Sequence, residues 1–106
     1  MTQPSIDADL VQRLRSDLGE EIARRLLASF VQEARSKTNA VVAAIGAGDV
    51  VTAREQAHAL RSVSLEYGGI ELAGLAGAVE KGQDVDAHVL HDCCERSVNA
   101  ISALLS

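Results

Sequence analysis

Apolar residues recur along this chain at spacings of three and four, the period of helices that each bury one side. Leu10 and Leu14 mark the inner stripe of a short first helix over about residues 6 to 16. Ser5 is placed to cap it, and Asp7 and Asp9 lie at its positive end. Asp17-Leu18-Gly19 breaks it, and a longer helix follows from about 20 to 45. The apolar band of that second helix runs through Ile22, Leu26, Leu27, Phe30, Ala34, Val41, Val42 and Ile45, interrupted near Lys37-Thr38. Gly46 and Gly48 end it, and Asp49 can cap the next. The third helix, about 50 to 66, turns Ala53, Ala57, Leu60, Ser64 and Tyr67 inward and stops at Gly68-Gly69, where a positive φ costs a glycine nothing. A fourth spans about 70 to 81, with Ile70, Leu72, Ala73, Ala76 and Val79 available for burial and Gly82 as its stop. After Gln83-Asp84 the last helix covers about 86 to 105, its inner face carrying Leu90, Cys93, Cys94, Ile101, Leu104 and Leu105.

Connections this short make neighbouring helices antiparallel. The pattern therefore predicts an all-α fold, an antiparallel up-and-down four-helix bundle with a short additional N-terminal helix packed across it. A chain of 106 residues suits a single domain, 1–106, around one core. Apolar residues make up 47% of it, mostly Ala, Val and Leu, with one proline, which favours helices in close contact through small side chains.

Charge and composition narrow the partners. The formal net charge is -5 and the only aromatic residues are Phe30 and Tyr67, so the chain offers neither a basic field nor a stacking platform for nucleic acid. Met1-Thr2-Gln3-Pro4-Ser5 leads into a charged helix rather than an apolar signal core, and no apolar run reaches the roughly 20 residues of a membrane span, so a cytoplasmic protein is expected. Cys93 and Cys94 are adjacent, closer than ordinary disulfide geometry allows, and read as reduced core thiols.

On the third helix His58 points away from the inner stripe, toward water. Arg54, Glu55, Arg61, Ser62 and Leu65 lie three, four or seven positions from it and share its face, as does Val51. A solvated surface histidine is the commoner meaning of such a residue taken alone. Arg54 and Arg61 by themselves would be a solvated face paired with acids such as Glu55.

The surrounding motif changes that weighting. His58-Ala59-Leu60-Arg61-Ser62-Val63-Ser64 is followed by Gly68, ten residues after the histidine. Leu18-Gly19, Leu27-x-x-Phe30 and Asp49 precede it, and Leu72-x-x-Leu75 and Val79-Glu80 follow. Taken in order over most of the chain, these residues resemble the histidine-containing phosphotransfer (HPt) family of bacterial-type phosphorelays. That family is a four-helix bundle whose second bundle helix carries H-x-L-K-G-S/A-S/A and a glycine at the same spacing. Two positions depart from its pattern, Arg61 for the lysine and Ser62 for the first glycine.

The resemblance implies a phosphorelay intermediate that accepts a phosphoryl group on His58 from a receiver-domain aspartate and passes it to another. Arg61, Ser62 and Arg54 would support the phosphoryl group, and Val51, Leu65 and Gly68 would help dock the partner. The partners implied are response-regulator receiver domains and a hybrid histidine kinase. The receiver would supply Mg²⁺, and the chain itself would be a monomer with no intrinsic cofactor or metal. The alternative is a non-phosphorylated helical adaptor that binds a receiver or histidine kinase through the same face.

Other readings find less in the residues. The dimerisation helix of a histidine kinase carries an acid directly after its histidine and usually a proline five residues on, where this chain has Ala59 and Val63, and no glycine-rich ATP lid is present, so autokinase activity is not expected. His88 and His91 share a face with Asp92 and Glu95, but Cys93 and Cys94 point the other way, and one helix cannot converge such ligands on an ion. A triad has no support either, because the third helix holds no acid placed to orient His58.

Overall fold

The computed structural model describes residues 5–106. Met1–Pro4, part of the N-terminal stretch read against a signal core, lie outside the described residues. Five helices follow one another: α1 (Ala8–Leu18), α2 (Glu20–Gly46), α3 (Val50–Tyr67), α4 (Ile70–Glu80) and α5 (Ala87–Leu105). α2 packs on α3 and α5, and α4 packs on α3 and α5, which closes a ring of four helices; α1 lies on α2. This is the all-α bundle with an extra N-terminal helix that the apolar spacing predicts. Among the described residues no helix is long and apolar enough to cross a membrane.

The termini explain where the helices stop. α1 is capped by Asp7 rather than Ser5: its Oδ1 accepts from the amides of Asp9 (3.1 Å) and Leu10 (3.3 Å). The Asp7 amide is itself bound to the carbonyl of Gly68 at 2.7 Å, so the end of α3 holds the entry to α1 in the extended conformation a cap needs. Asp49 caps α3 through the amide of Thr52, 3.1 Å away, and Asp86 caps α5. At the other end of α5 the carbonyls of Leu104 and Leu105, which have no partner within the helix, accept from the guanidinium groups of Arg15 and Arg24.

The core is made of small and medium side chains. Leu27, Leu60, Leu72, Leu90 and Tyr67 are fully buried, with Ala23, Ala34, Ala57 and Ala76 between them; each large residue contributes about 1.5–3 kcal/mol. All five residues expected inward on α3 are buried. Two stripes are corrected. In α1 the fully buried residue is Val11, with Leu10 and Leu14 only half-buried. In α2 the expected Ile22 is exposed, because the buried i, i+4 row starts at Ala23 and Leu27 and turns its neighbour outward. Thr38, at the interruption of the α2 band, is also buried.

One polar chain crosses this core. The Ser97 hydroxyl donates to the carbonyl of Cys94 (2.7 Å), which leaves its oxygen to accept from the Tyr67 hydroxyl at 2.8 Å. Burial pushes the Tyr67 phenol up to about 12. Cys93 and Cys94 are free and buried. Desolvation, and then its hydrogen bond to the Glu71 carboxylate (3.1 Å), push the Cys93 thiol up to about 12.

Candidate functional site

The buried stripe of α3 determines what its other face presents. With Ala57, Leu60 and Ser64 in the core, His58 projects outward with 69% of its side chain exposed. The side chain does not stand alone. Glu80, at the end of α4, places Oε1 at 2.7 Å and Oε2 at 3.2 Å from His58 Nδ1. An ionised carboxylate only accepts hydrogen bonds, so the neutral imidazole donates through Nδ1–H, and Nε2 keeps the lone pair.

Glu80 also gathers the two arginines of this face. Arg61 Nη1 lies 3.5 Å from both carboxylate oxygens, a loose contact, and Arg54 Nε donates to the Glu80 backbone carbonyl at 3.0 Å. The aliphatic stem of Arg61 runs across Gly77, with Cδ 3.6 Å from where a β-carbon there would stand. The His58 hydrogen bond and, beside it, the positive charge of Arg61 hold the Glu80 carboxyl below its usual range against a desolvation penalty that acts the other way.

The remaining site candidates fall in three places. Ser62 is exposed, and its hydroxyl donates to the His58 carbonyl (3.1 Å), so it turns back along its own helix instead of toward the imidazole. Val51 and Leu65 are 67% and 50% exposed, each about 10 Å along α3 from His58. Gly68 is corrected: it is buried, its φ of 84° forms the left-handed end of α3, and a β-carbon there would meet Asp7 at 3.1–3.4 Å. It has little surface to offer a partner, and its work is to turn the chain and bind α1.

Glu80 is the partner of His58 that helix-by-helix reasoning missed. The statement that no acid orients His58 holds within α3 and fails across to α4. The signal was the hairpin geometry: His58 lies ten residues before Gly68 and Glu80 eleven after Gly69. Residues equally far from the turn of an antiparallel helix pair stand level with each other, as Arg61 and Gly77 also do. Elsewhere, among the described residues, no group of three or more His, Cys, Asp or Glu side chains is assembled to hold a metal. His91 lies 3.6 Å from Asp92 at the surface, while Cys93 and Cys94 face the core.

No protein-family model matches the chain, and no curated protein matches it in sequence. The crystal structure of histidine-containing phosphotransfer protein B (HptB) from Pseudomonas aeruginosa PAO1 does match, at a TM-score of 0.73 and 25% sequence identity, over 98% of this chain and 93% of that one. The chain has the fold of an HPt domain and is similar to one over nearly its whole length. The likeness supports a role in a phosphorelay. On the α3–α4 face the exposed imidazole is a nucleophile open to solvent. Its Nδ1 is occupied by Glu80, and its Nε2 faces away from that partner toward solvent and any approaching protein.

Proposed function

We propose that the protein is a phosphocarrier: His58 accepts a phosphoryl group from the phospho-aspartate of a receiver domain and passes it to the aspartate of another. The observation that carries this reading is the 2.7 Å bond between Nδ1 of the exposed His58 and Glu80. It explains how the transfer balances without a general base. Neutral His58 attacks phosphorus with the Nε2 lone pair, the N–P bond forms as the P–O bond to the aspartate breaks, and the aspartate leaves as a carboxylate. The ring keeps its Nδ1 proton and becomes positive, and the Glu80 carboxylate at that proton balances the charge. In the return step the same proton stays in place, so the leaving group is a neutral imidazole.

Phosphoryl transfer depends on alignment and on charge at the equatorial oxygens. Arg61, held only loosely at 3.5 Å from Glu80, can turn to those oxygens, and Arg54 stands one helical turn away on the same face. Ser62 adds a hydroxymethyl group beside the approach, and Val51 and Leu65 provide apolar contact on either side of His58. Mg²⁺ would arrive with the receiver, bound among that partner's own carboxylates. The chain by itself has no autokinase step, and on this reading it works in the cytoplasm as a monomer that meets receiver domains and a hybrid histidine kinase in turn.

The test is transfer of radiolabelled phosphate from a phosphorylated receiver to the wild-type protein and to His58→Gln. Acid-labile, alkali-stable label on the wild type alone is the expected result. Label on His58→Gln overturns the site assignment. Binding that survives in both proteins without any label replaces the carrier with an adaptor that docks through the same face.

A further inference from the structure

A cleft of about 230 Å³ opens beside the histidine at the end of the bundle. Its walls are Ala44 and Ile45 from α2, Val50 and Ala53 from α3, Val79 from α4 and Val85 from the turn into α5. Arg54 stands on its rim, with Asp49 and Asp84. Asp49 is engaged in capping α3 through Thr52. Arg54 spends its Nε on the Glu80 carbonyl and pairs with no carboxylate among the described residues, in contrast to Arg15, Arg24, Arg25, Arg35 and Arg96.

We propose that this cleft is the anchoring pocket of the partner interface, filled by an aliphatic or aromatic side chain of the receiver domain that exchanges phosphate with His58. The inference rests on the phosphotransfer function proposed above. Three observations carry it. First, the cleft is continuous with the site: Arg54 borders both, Val79 adjoins Glu80, and Arg54 precedes His58 by four residues, about 6 Å along α3. Second, Val50 and Val51, 63% and 67% exposed, extend the apolar lining onto that face.

Third, Arg54 suits such a partner. A receiver brings its carboxylates to His58, and Arg54 is the cation at the mouth, beside Asp49 and Asp84, whose charge no carboxylate takes up among the described residues. The volume favours a side chain over a cofactor, since small-molecule sites usually run to about 300–1,000 Å³. A carrier must also release each partner, so its interface is small, and in such interfaces a few residues seated in pockets supply most of the binding energy.

The experiment compares wild type with Ala53→Leu, which grows a side chain into the cleft, and with Gln83→Trp, which covers it from the exposed turn without touching the core. Helix content and thermal midpoint establish folding, and Gln83→Trp alone decides the matter if Ala53→Leu does not fold. Phosphoramidate, a donor too small to need docking, is expected to label His58 in the variants within about twofold of wild type. With a phosphorylated receiver selected by its transfer to the wild-type protein, KM is expected to rise about tenfold, the loss of one seated side chain. An unchanged KM in a folded variant overturns the proposal. So does a wild-type dimer that the substitutions dissociate, which would make a second copy of this chain the occupant. Failure of the wild type to take phosphate from any donor removes the proposed function, and this inference with it.

Discussion

His58 and Glu80 meet at 2.7 Å although 22 residues and a helical turn-around separate them in the chain. The pair is possible because Gly68 and Gly69 fold α4 back along α3 and because small residues on α4, Gly77 among them, let the two helices approach. The carboxylate thereby sets the imidazole's tautomer and lies 3.5 Å from Arg61, while the backbone carbonyl of Glu80 accepts from Arg54; on the proposed function the same carboxylate would meet the charge formed during transfer.

If His58 carries the phosphoryl group as proposed, this arrangement predicts that Glu80 acts as a positioning residue with a measurable share of the rate. Glu80→Gln keeps an acceptor for Nδ1–H and loses the charge, and Glu80→Ala loses both. Labelling of His58 from a receiver is expected to slow about tenfold in the first and more in the second, since a charge-assisted hydrogen bond contributes about 1.5–3 kcal/mol. Equal rates in all three proteins would show that the carboxylate plays no part in transfer.

The pH dependence of the contact follows from Glu80. Its carboxyl titrates below the ordinary 4.5, so the pairing stabilises the fold above that value and is lost as pH falls through the lowered one. Carbon-detected NMR titration of Glu80 is expected to show a midpoint under 4.5 in the wild type, moving upward in His58→Gln. A midpoint that ignores the substitution would assign the shift to something other than His58.

The apolar shoulder of the face predicts a separation of binding from folding. Leu65 is 50% exposed on the face that bears His58, so Leu65→Asp is expected to leave the thermal midpoint near that of wild type and to slow transfer from a receiver. Unchanged transfer would remove Leu65 from the docking surface.

The turn between α3 and α4 leaves no room for a side chain at either glycine. At Gly68 a β-carbon meets both the left-handed φ of 84° and Asp7, and Gly68→Ala is expected to cost about 1–2 kcal/mol. At Gly69 it would stand 2.8 Å from the Tyr67 ring, which is buried and held by Ser97, so Gly69→Ala forces repacking at about 1–3 kcal/mol. Urea unfolding measures both, and Gly82→Ala is the control, with a positive φ and open space around it.

Inside the core, the order of donors in the Tyr67–Ser97–Cys94 chain predicts a small effect. Ser97 donates to the Cys94 carbonyl whether or not Tyr67 has a hydroxyl, so Tyr67→Phe removes one bond and strands no donor; a loss of about 1 kcal/mol is expected in urea unfolding. The thiols beside it should be inert. With burial raising both, and Cys93 to about 12, neither is expected to react with a disulfide reagent at pH 8 until denaturant unfolds the chain, when both should react.

Much of this fold was legible in single helices. The i, i+3 and i, i+4 rows around Ala53, Ala57, Leu60, Ser64 and Tyr67 specify which side of α3 is inside and so which side bears His58. Asp49 and the glycines mark the ends of α2 and α3 for the same local reason: capping and positive φ involve neighbours in the chain. Where a tertiary contact competed, local reading slipped. Asp7 displaced Ser5 as the cap of α1 because its amide is bound to Gly68, and the start of α2 turned Ile22 outward once Ala23 met the core.

By itself, then, the sequence determined five helices, their inward faces and an outward histidine with arginines at helical spacing, because periodicity and capping act over a few residues. Tertiary structure alone decided that Glu80 would stand at His58 Nδ1, that Gly68 would lie under Asp7 and that a cleft would open beside Arg54. Those relationships join residues from separate helices. Their distances are set by how closely small side chains let the helices pack, a quantity that no spacing within one helix contains.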